Sequence, residues 1–356
     1  MSTLFGSASS TNTANTLGDL SKDVALQNPP EDSVSDINFS PQSQHLAVAS
    51  WDKKVRIYEI AQSGGSTGVA AFEHEAPVLS CHWSPDGKKV VGGGADKAAR
   101  MMDMTTTQTT QVAAHDQPIR CARFFTPPAG GDAMLVTGSW DKTIKYWDLR
   151  QQAAVATVQC QERVYTLDVK KNLLVIGTAD RYINVINLSE PTKFYKTLQS
   201  PLKWQTRVVS CFTDATGFAV GSIEGRCAIQ YVEEKDASSN FSFKCHRDPP
   251  QNNMTNVYAV NAISFHPQHG TFSTAGSDGT FHFWDGVAKH RLKGYPTTGG
   301  TISATSFDRN GEIFAYAVSY DWSKGYASNT PQYPNKVMMH PIQADECKPR
   351  PSVKKR

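Results

Sequence analysis

One short phrase recurs seven times along the chain, and no other feature constrains the fold as strongly. An apolar strand ends in small residues, meets an acidic turn residue, and restarts as a strand that often closes on an aromatic. The phrase reads AVASWDKKVRIYEI at 47–60, VGGGADKAARMMDM at 91–104 and VTGSWDKTIKYWDL at 136–149. It returns as VIGTADRYINVINL at 175–188, AVGSIEGRCAIQYV at 219–232 and STAGSDGTFHFWDG at 273–286. A seventh copy, YAVSYDWSKG at 316–325, is interrupted before its last strand at 335–342. The acidic residues Asp52, Asp96, Asp141, Asp180, Glu224, Asp278 and Asp321 are separated by 44, 45, 39, 44, 54 and 43 residues. A period of about 40–45 residues is that of one four-stranded blade. The long step holds an extra stretch, QNNMTN at 251–256.

Upstream of each acidic turn lies a further strand signal with alternating polarity, often closed by a Pro or Gly turn such as Pro85-Asp86-Gly87. Helical periodicity is absent. The expected fold is therefore all-β: seven four-stranded blades in a ring, a β-propeller. Such a toroid uses 356 residues as one unit, and its thin, distributed core suits a hydrophobic fraction of 39%. Seven copies leave the last blade one strand short. Lys22–Leu26 is the free strand candidate, expected to pair beside residues 336–340 and so remove an open edge. The domain reading is a leader at 1–20, the propeller at 21–343 and a basic tail at 344–356.

The acidic turn residue has a structural reason, since a short Asp accepts backbone N–H groups in a tight turn. His74 and His115 precede the second and third copies and are expected to meet Asp96 and Asp141. Trp147 and Trp284 close their strands, where an indole packs between neighbours. These residues are read as a structural network.

Composition excludes several classes. A net charge of +3 and a pI of about 8.4 are mild, so nucleic-acid contact would need local clustering of Lys and Arg. Seven cysteines, an odd number without a CxxC pair, read as buried thiols of a reducing compartment. The N-terminal stretch has neither the basic nor the apolar region of a signal peptide, and no run is long enough to span a membrane. A soluble cytosolic or nuclear protein is expected. The glycines at 92–94 lack dinucleotide-binding spacing, and Pro267 separates His266 from His269 in any helix that would align them on a metal. No catalytic pattern, cofactor site or metal site is expected.

The turn that holds the acidic residue marks one rim of the ring. Residues just before it and two after it point outward there, among them Trp51, Trp140, Ile223 and Arg226. Two tryptophans in solvent-facing turns either pack on adjacent loops or anchor a partner laid across the face. Arg226 shares the rim. Arg207 in KWQTR, and Lys244 and Arg247 in FKCHR, lie on connections nearby. They are either solvated charges or a basic surface for carboxylates.

The phrases SWDKKVRIY, GSWDKTIKYWDLR, LKWQTRVVSCF, GSIEGRCAIQY, FSFKCHRDPP and FAYAVSYDWSKG together resemble the nuclear-pore mRNA-export branch of the WD40 propellers, from about residue 20 to residue 350. KWQTR and FKCHR also resemble the mitotic-checkpoint propeller of the kinetochore, which lacks the YDWSKG ending. The resemblance implies a non-enzymatic factor that docks on the GLEBS segment of an FG-repeat nucleoporin and supports poly(A) RNA export. The partner surface it implies is Trp51, Trp140, Arg207, Arg226, Lys244 and Arg247. It also implies a monomeric propeller in a heterodimer, RNA contacted together with the nucleoporin, no membrane partner, and a place in the nucleus and nuclear envelope and partly in the cytoplasm. The other readings are a checkpoint adaptor, a propeller that binds RNA directly, and a receptor subunit of a ubiquitin ligase. Leu4-Phe5-Gly6 looks like one FG unit. The tail KPRPSVKKR either attracts RNA or serves as an import signal.

Overall fold

The computed structural model describes residues 17–343 and 345–349. It contains seven four-stranded antiparallel sheets, and each is one blade. Blade 1 runs outward from the axis through Val34–Phe39, His45–Ser50, Lys54–Ile60 and Ser66–Glu73. Blades 2 to 6 repeat this order. Three short 3-10 turns are the helical elements among the described residues.

Sequence pattern follows position in the blade. The second strands are the most apolar, as in Leu173–Thr178 and Ile313–Val318, because neighbouring blades cover both faces and every residue is buried. An outermost strand such as Ala156–Gln159 alternates, since only one face is covered. The core is correspondingly divided. Seven apolar clusters fill the seven interfaces between blades, one at each.

The ring closes as the spare strand requires. Blade 7 takes Ile302–Phe307, Ile313–Val318 and Lys336–Pro341 from the chain's end and Val24–Ala25 from its start. Val24 pairs with Met339 and Ala25 with Met338, and the Leu26 N–H donates to the Val337 carbonyl. Beside this seam lies a buried ionic cluster. His340 Nδ1 is 2.6 Å from an Asp23 oxygen and its Nε2 is 3.2 Å from Glu346, while the Tyr316 hydroxyl donates to Asp23 at 2.6 Å. Glu346 and Cys347 are buried, so packing reaches past the boundary drawn at residue 343.

Histidine–aspartate pairs tie blades 2, 3 and 6. His115 Nδ1 meets Asp141 at 2.8 Å, and His115 Nε2 meets the Thr137 hydroxyl at 2.7 Å. Thr137 also accepts the Trp147 N–H at 2.8 Å. His246, Asp278, Thr274 and Trp284 repeat this set. In blade 2 the threonine is replaced by Gly92 and the tryptophan by Met102, so His74 bonds Asp96 and its Nε2 is left without a partner among the described residues. Thr137→Val keeps the shape but strands two buried polar groups. It is expected to cost about 1–3 kcal/mol, read from the midpoint of urea unfolding.

Candidate functional site

Antiparallel strands put two kinds of connection at the same end of every blade: the turn between second and third strands, and the link to the next blade. This end is the turn face. Asp52, Asp96, Asp141, Asp278 and Asp321 accept the backbone N–H two residues on, at 3.1, 3.3, 2.9, 3.1 and 3.1 Å. Asp180 departs from the pattern, because it takes a left-handed conformation itself (φ 58°) and is exposed.

Large apolar side chains gather on this face. Trp140 is 38% exposed, Trp204 58%, Met254 74% and Tyr326 85%, with Ile223 and Val257 beside them. Trp51 differs from Trp140. It is half-buried, because its ring stacks on Trp322 of blade 7 with centroids 3.9 Å apart and planes at 26°. The extra stretch after blade 5 is a hairpin arm rather than an irregular loop. Arg247 bridges Val257, Gln251 exchanges backbone bonds with Met254 at 2.8 Å, and Asn252 and Asn253 both have positive φ. Two successive left-handed residues make the tight hairpin turn that Asn tolerates. Met254 stands exposed at its tip.

The four cationic residues do not form one surface. Arg226, Lys244 and Arg247 come together on blade 5. Arg226 and Lys244 are direct cross-strand neighbours, and Glu224 lies 3.6 Å from Arg226 and 3.7 Å from Arg247. One carboxylate thus stands near two of the three cations, and Lys244 makes no ion pair among the described residues. Like charges directly opposed across strands repel, which leaves this corner able to accept an acidic group. Burial and the neighbouring Arg226 pull the Arg247 guanidinium below its ordinary value.

Arg207 stands apart, and the reason is a β-bulge. The innermost strand of every blade carries one at the same place, and the extra residue is Ser35, Leu79, Arg120, Tyr165, Arg207, Asn261 or Ser303. A bulge re-aims the side chain it carries. Ser35, Arg120, Arg207, Asn261 and Ser303 line the axial channel, a cavity of about 340 Å³. Several also join blades: Ser35 donates to the Val78 carbonyl at 2.5 Å, Arg120 to Leu79 at 2.9 Å and Ser303 to Val34 at 2.7 Å. Arg207 bonds the Asn261 side-chain oxygen at 3.2 Å and the Asp321 carbonyl at 3.0 Å. Burial, with Arg120 nearby, lowers its affinity for a proton. Neither arginine makes an ion pair among the described residues. Arg123, deeper in the channel, is 3.3 Å from Asp36.

Other chemistry-bearing groups are occupied. His266 accepts two backbone N–H groups at Nδ1 and meets the Gly311 carbonyl at Nε2, so it holds its loop together. His246, Asp278 and His282 bring possible ligand atoms within 4.8 Å of one another. His246 and Asp278 are already bonded to each other and to Thr274 and Thr280, as their counterparts in blade 3 are. The cysteines are free thiols, and burial pushes Cys160 and Cys245 up to about 12. Leu4-Phe5-Gly6 and the last seven residues of the tail lie outside the described residues.

Comparison with known proteins agrees with this architecture. A family model described as "WD domain, G-beta repeat" matches residues 24–59, 68–103, 106–148 and 241–285. Over 100% of both chains, the sequence is 70% identical to "mRNA export factor GLE2" of Chaetomium thermophilum. It is 58% identical to "Poly(A)+ RNA export protein" of Schizosaccharomyces pombe, covering 98% of each chain. It is 42% identical to "Protein Rae1" of Drosophila melanogaster, covering 98% of this chain and 99% of that one. Among solved structures it resembles "Structure of U3-55K", with a TM-score of 0.76 over 90% of this chain and 98% of that one. At 14% identity that likeness is of fold alone.

Proposed function

The chain belongs to the family of WD40 mRNA export factors, and from that premise we propose that it supports poly(A) RNA export by docking on a nucleoporin at the nuclear pore. The partner is the GLEBS segment of an FG-repeat nucleoporin, laid across the turn face. Such a segment orders as it binds. The reading makes the protein a docking platform, not a catalyst. It works in the nucleus and at the nuclear envelope, and partly in the cytoplasm, as one half of a heterodimer that meets messenger ribonucleoprotein together with its nucleoporin.

One observation carries this reading: exposed apolar anchors and under-neutralised cations share a single face. Trp140 and the Trp51–Trp322 stack offer rigid aromatic surface. Trp204, Ile223 and Met254 extend it across blade 5. Arg207 and Arg120 at the channel and Arg226, Lys244 and Arg247 on blade 5 suit the acidic part of the segment. Guanidinium forks match carboxylates in geometry as well as charge.

A labelled synthetic GLEBS peptide titrated against the purified chain tests the docking. Rim charges steer association, so the on-rate is expected to fall steeply with added salt. Arg226→Glu is expected to weaken binding and flatten that salt response, because repulsion replaces attraction. A peptide that does not bind sinks the reading. Identical salt slopes for the two proteins return Arg226 to ordinary solvated charge.

A further inference from the structure

In every blade the residue after the acidic turn residue is left-handed. φ is 72° at Lys53, 66° at Lys97, 69° at Lys142, 63° at Arg181, 63° at Gly225, 74° at Gly279 and 62° at Trp322. Glycine adopts this conformation without steric penalty. A bulky aromatic there is an outlier. Six blades meet the requirement with glycine or an unbranched basic residue, and blade 7 uses tryptophan.

Trp322 carries a second cost. Its indole N–H is buried and has no acceptor among the described residues. Groups like this are rare in folded proteins and call for an explanation.

The loop does not need the indole to hold its shape. The Ser323 N–H donates to Asp321 at 3.1 Å. The Lys324 N–H donates to the Tyr320 hydroxyl at 2.9 Å, and that hydroxyl donates to the Gly325 carbonyl at 2.9 Å. Asp321 is further fixed by Ser277 and Asn261. What the strained backbone achieves is placement: it lays the Trp322 ring flat on Trp51, from the neighbouring blade. Strain held at one point of a repeated structure, with the alternative residue in use elsewhere in the ring, is a mark of function.

We propose that Trp322 is a partner-recognition residue. Its ring and that of Trp51 form one aromatic platform, and its N–H takes an oxygen acceptor from the docked acidic segment. The proposal rests on the docking reading above and adds a residue, and a donor, to it. Because the N–H is covered in the free protein, docking turns the indole as the acceptor arrives.

Two variants decide the matter, read with the same labelled GLEBS peptide and by thermal melting. Trp322→Gly installs the residue that blades 5 and 6 use. It is expected to weaken peptide binding roughly tenfold or more, as loss of an aromatic anchor does, with a melting temperature equal to or above the parent's. Trp322→Phe keeps the ring but removes the N–H, and is expected to weaken binding several-fold with a parental melting temperature. If the glycine variant melts lower, the phenylalanine variant decides. Unchanged affinity in both overturns the proposal and makes Trp322 a packing residue. If Trp51→Ala and Trp140→Ala also bind like the parent, the docking reading falls. If those two lose affinity and the Trp322 variants do not, this inference alone falls.

Discussion

Replacing Asp23 with alanine is expected to lower the stability of the propeller by about 3–5 kcal/mol, the cost of removing one partner from a buried ion pair. The Asp23 and His340 side chains are 1% and 3% exposed, so the vacated Nδ1 cannot turn to water and His340 keeps only Glu346, at 3.2 Å, as a carboxylate partner among the described residues. The change also removes the acceptor of the Tyr316 hydroxyl. Burial alone would push the His340 imidazole down, but hydrogen bonds to Asp23 and Glu346 outweigh it and raise the group to about 9. A group raised on folding holds its proton more tightly when folded. Its contribution is therefore complete below about pH 6.5, the unfolded value, and is lost as pH climbs through about 9. Urea midpoints measured from pH 6.5 to 9.5 should fall for the parent and fall less for Asp23→Ala. Equal stability of the two proteins at pH 7 would mean the cluster is incidental to closure.

Trp51→Ala and Trp140→Ala are each expected to weaken GLEBS-peptide binding by about 2 kcal/mol, roughly thirtyfold, as truncation of a central aromatic anchor does. The fold should persist by circular dichroism. The two losses should add, because Trp51 and Trp140 stand on blades 1 and 3, with blade 2 between them. Trp51 and Trp322 touch, so that pair should not add. Trp140→Ala is the cleaner test, since its indole has no stacking partner among the described residues. Parental affinity in both single variants would mean that the indoles only pack the rim and that the peptide does not lie across this face.

Seven acidic turns at a near-constant spacing were enough to give the blade count, and counting strands predicted that Lys22–Leu26 closes the ring, within which Val24–Ala25 form the strand. His74 and His115 were legible because they sit 22 and 26 residues before their aspartates. His246 was not, because the hairpin arm stretches its separation from Asp278 to 32 residues. Asp23, His340 and Glu346 look like ordinary surface polarity in a sequence, and only closure brings residues 317 positions apart into contact. Arg207 was expected beside Arg226. Periodicity assigns a side chain to one face of a strand, but a bulge breaks the period and turns Arg207 into the channel. Trp322 was hidden for a related reason, since no pattern of letters reveals a backbone angle.

Closure also sets a schedule. At about 5–20 residues per second, a ribosome needs roughly 15–60 s to add the chain between Asp23 and His340. Through that interval the first strand has no partner, and the apolar faces of blades 1 and 7, including Val34, Ile37, Val48 and Ala315, cannot meet. Six blades can stack while the ring stays open like a split washer. The waiting segment is only two residues of strand, Val24–Ala25, preceded by Lys22 and Asp23. So short an edge, flanked by two charged residues, offers little for a neighbouring nascent chain to pair with, which suits a strand that must stay free until Met338 and Met339 have left the ribosome.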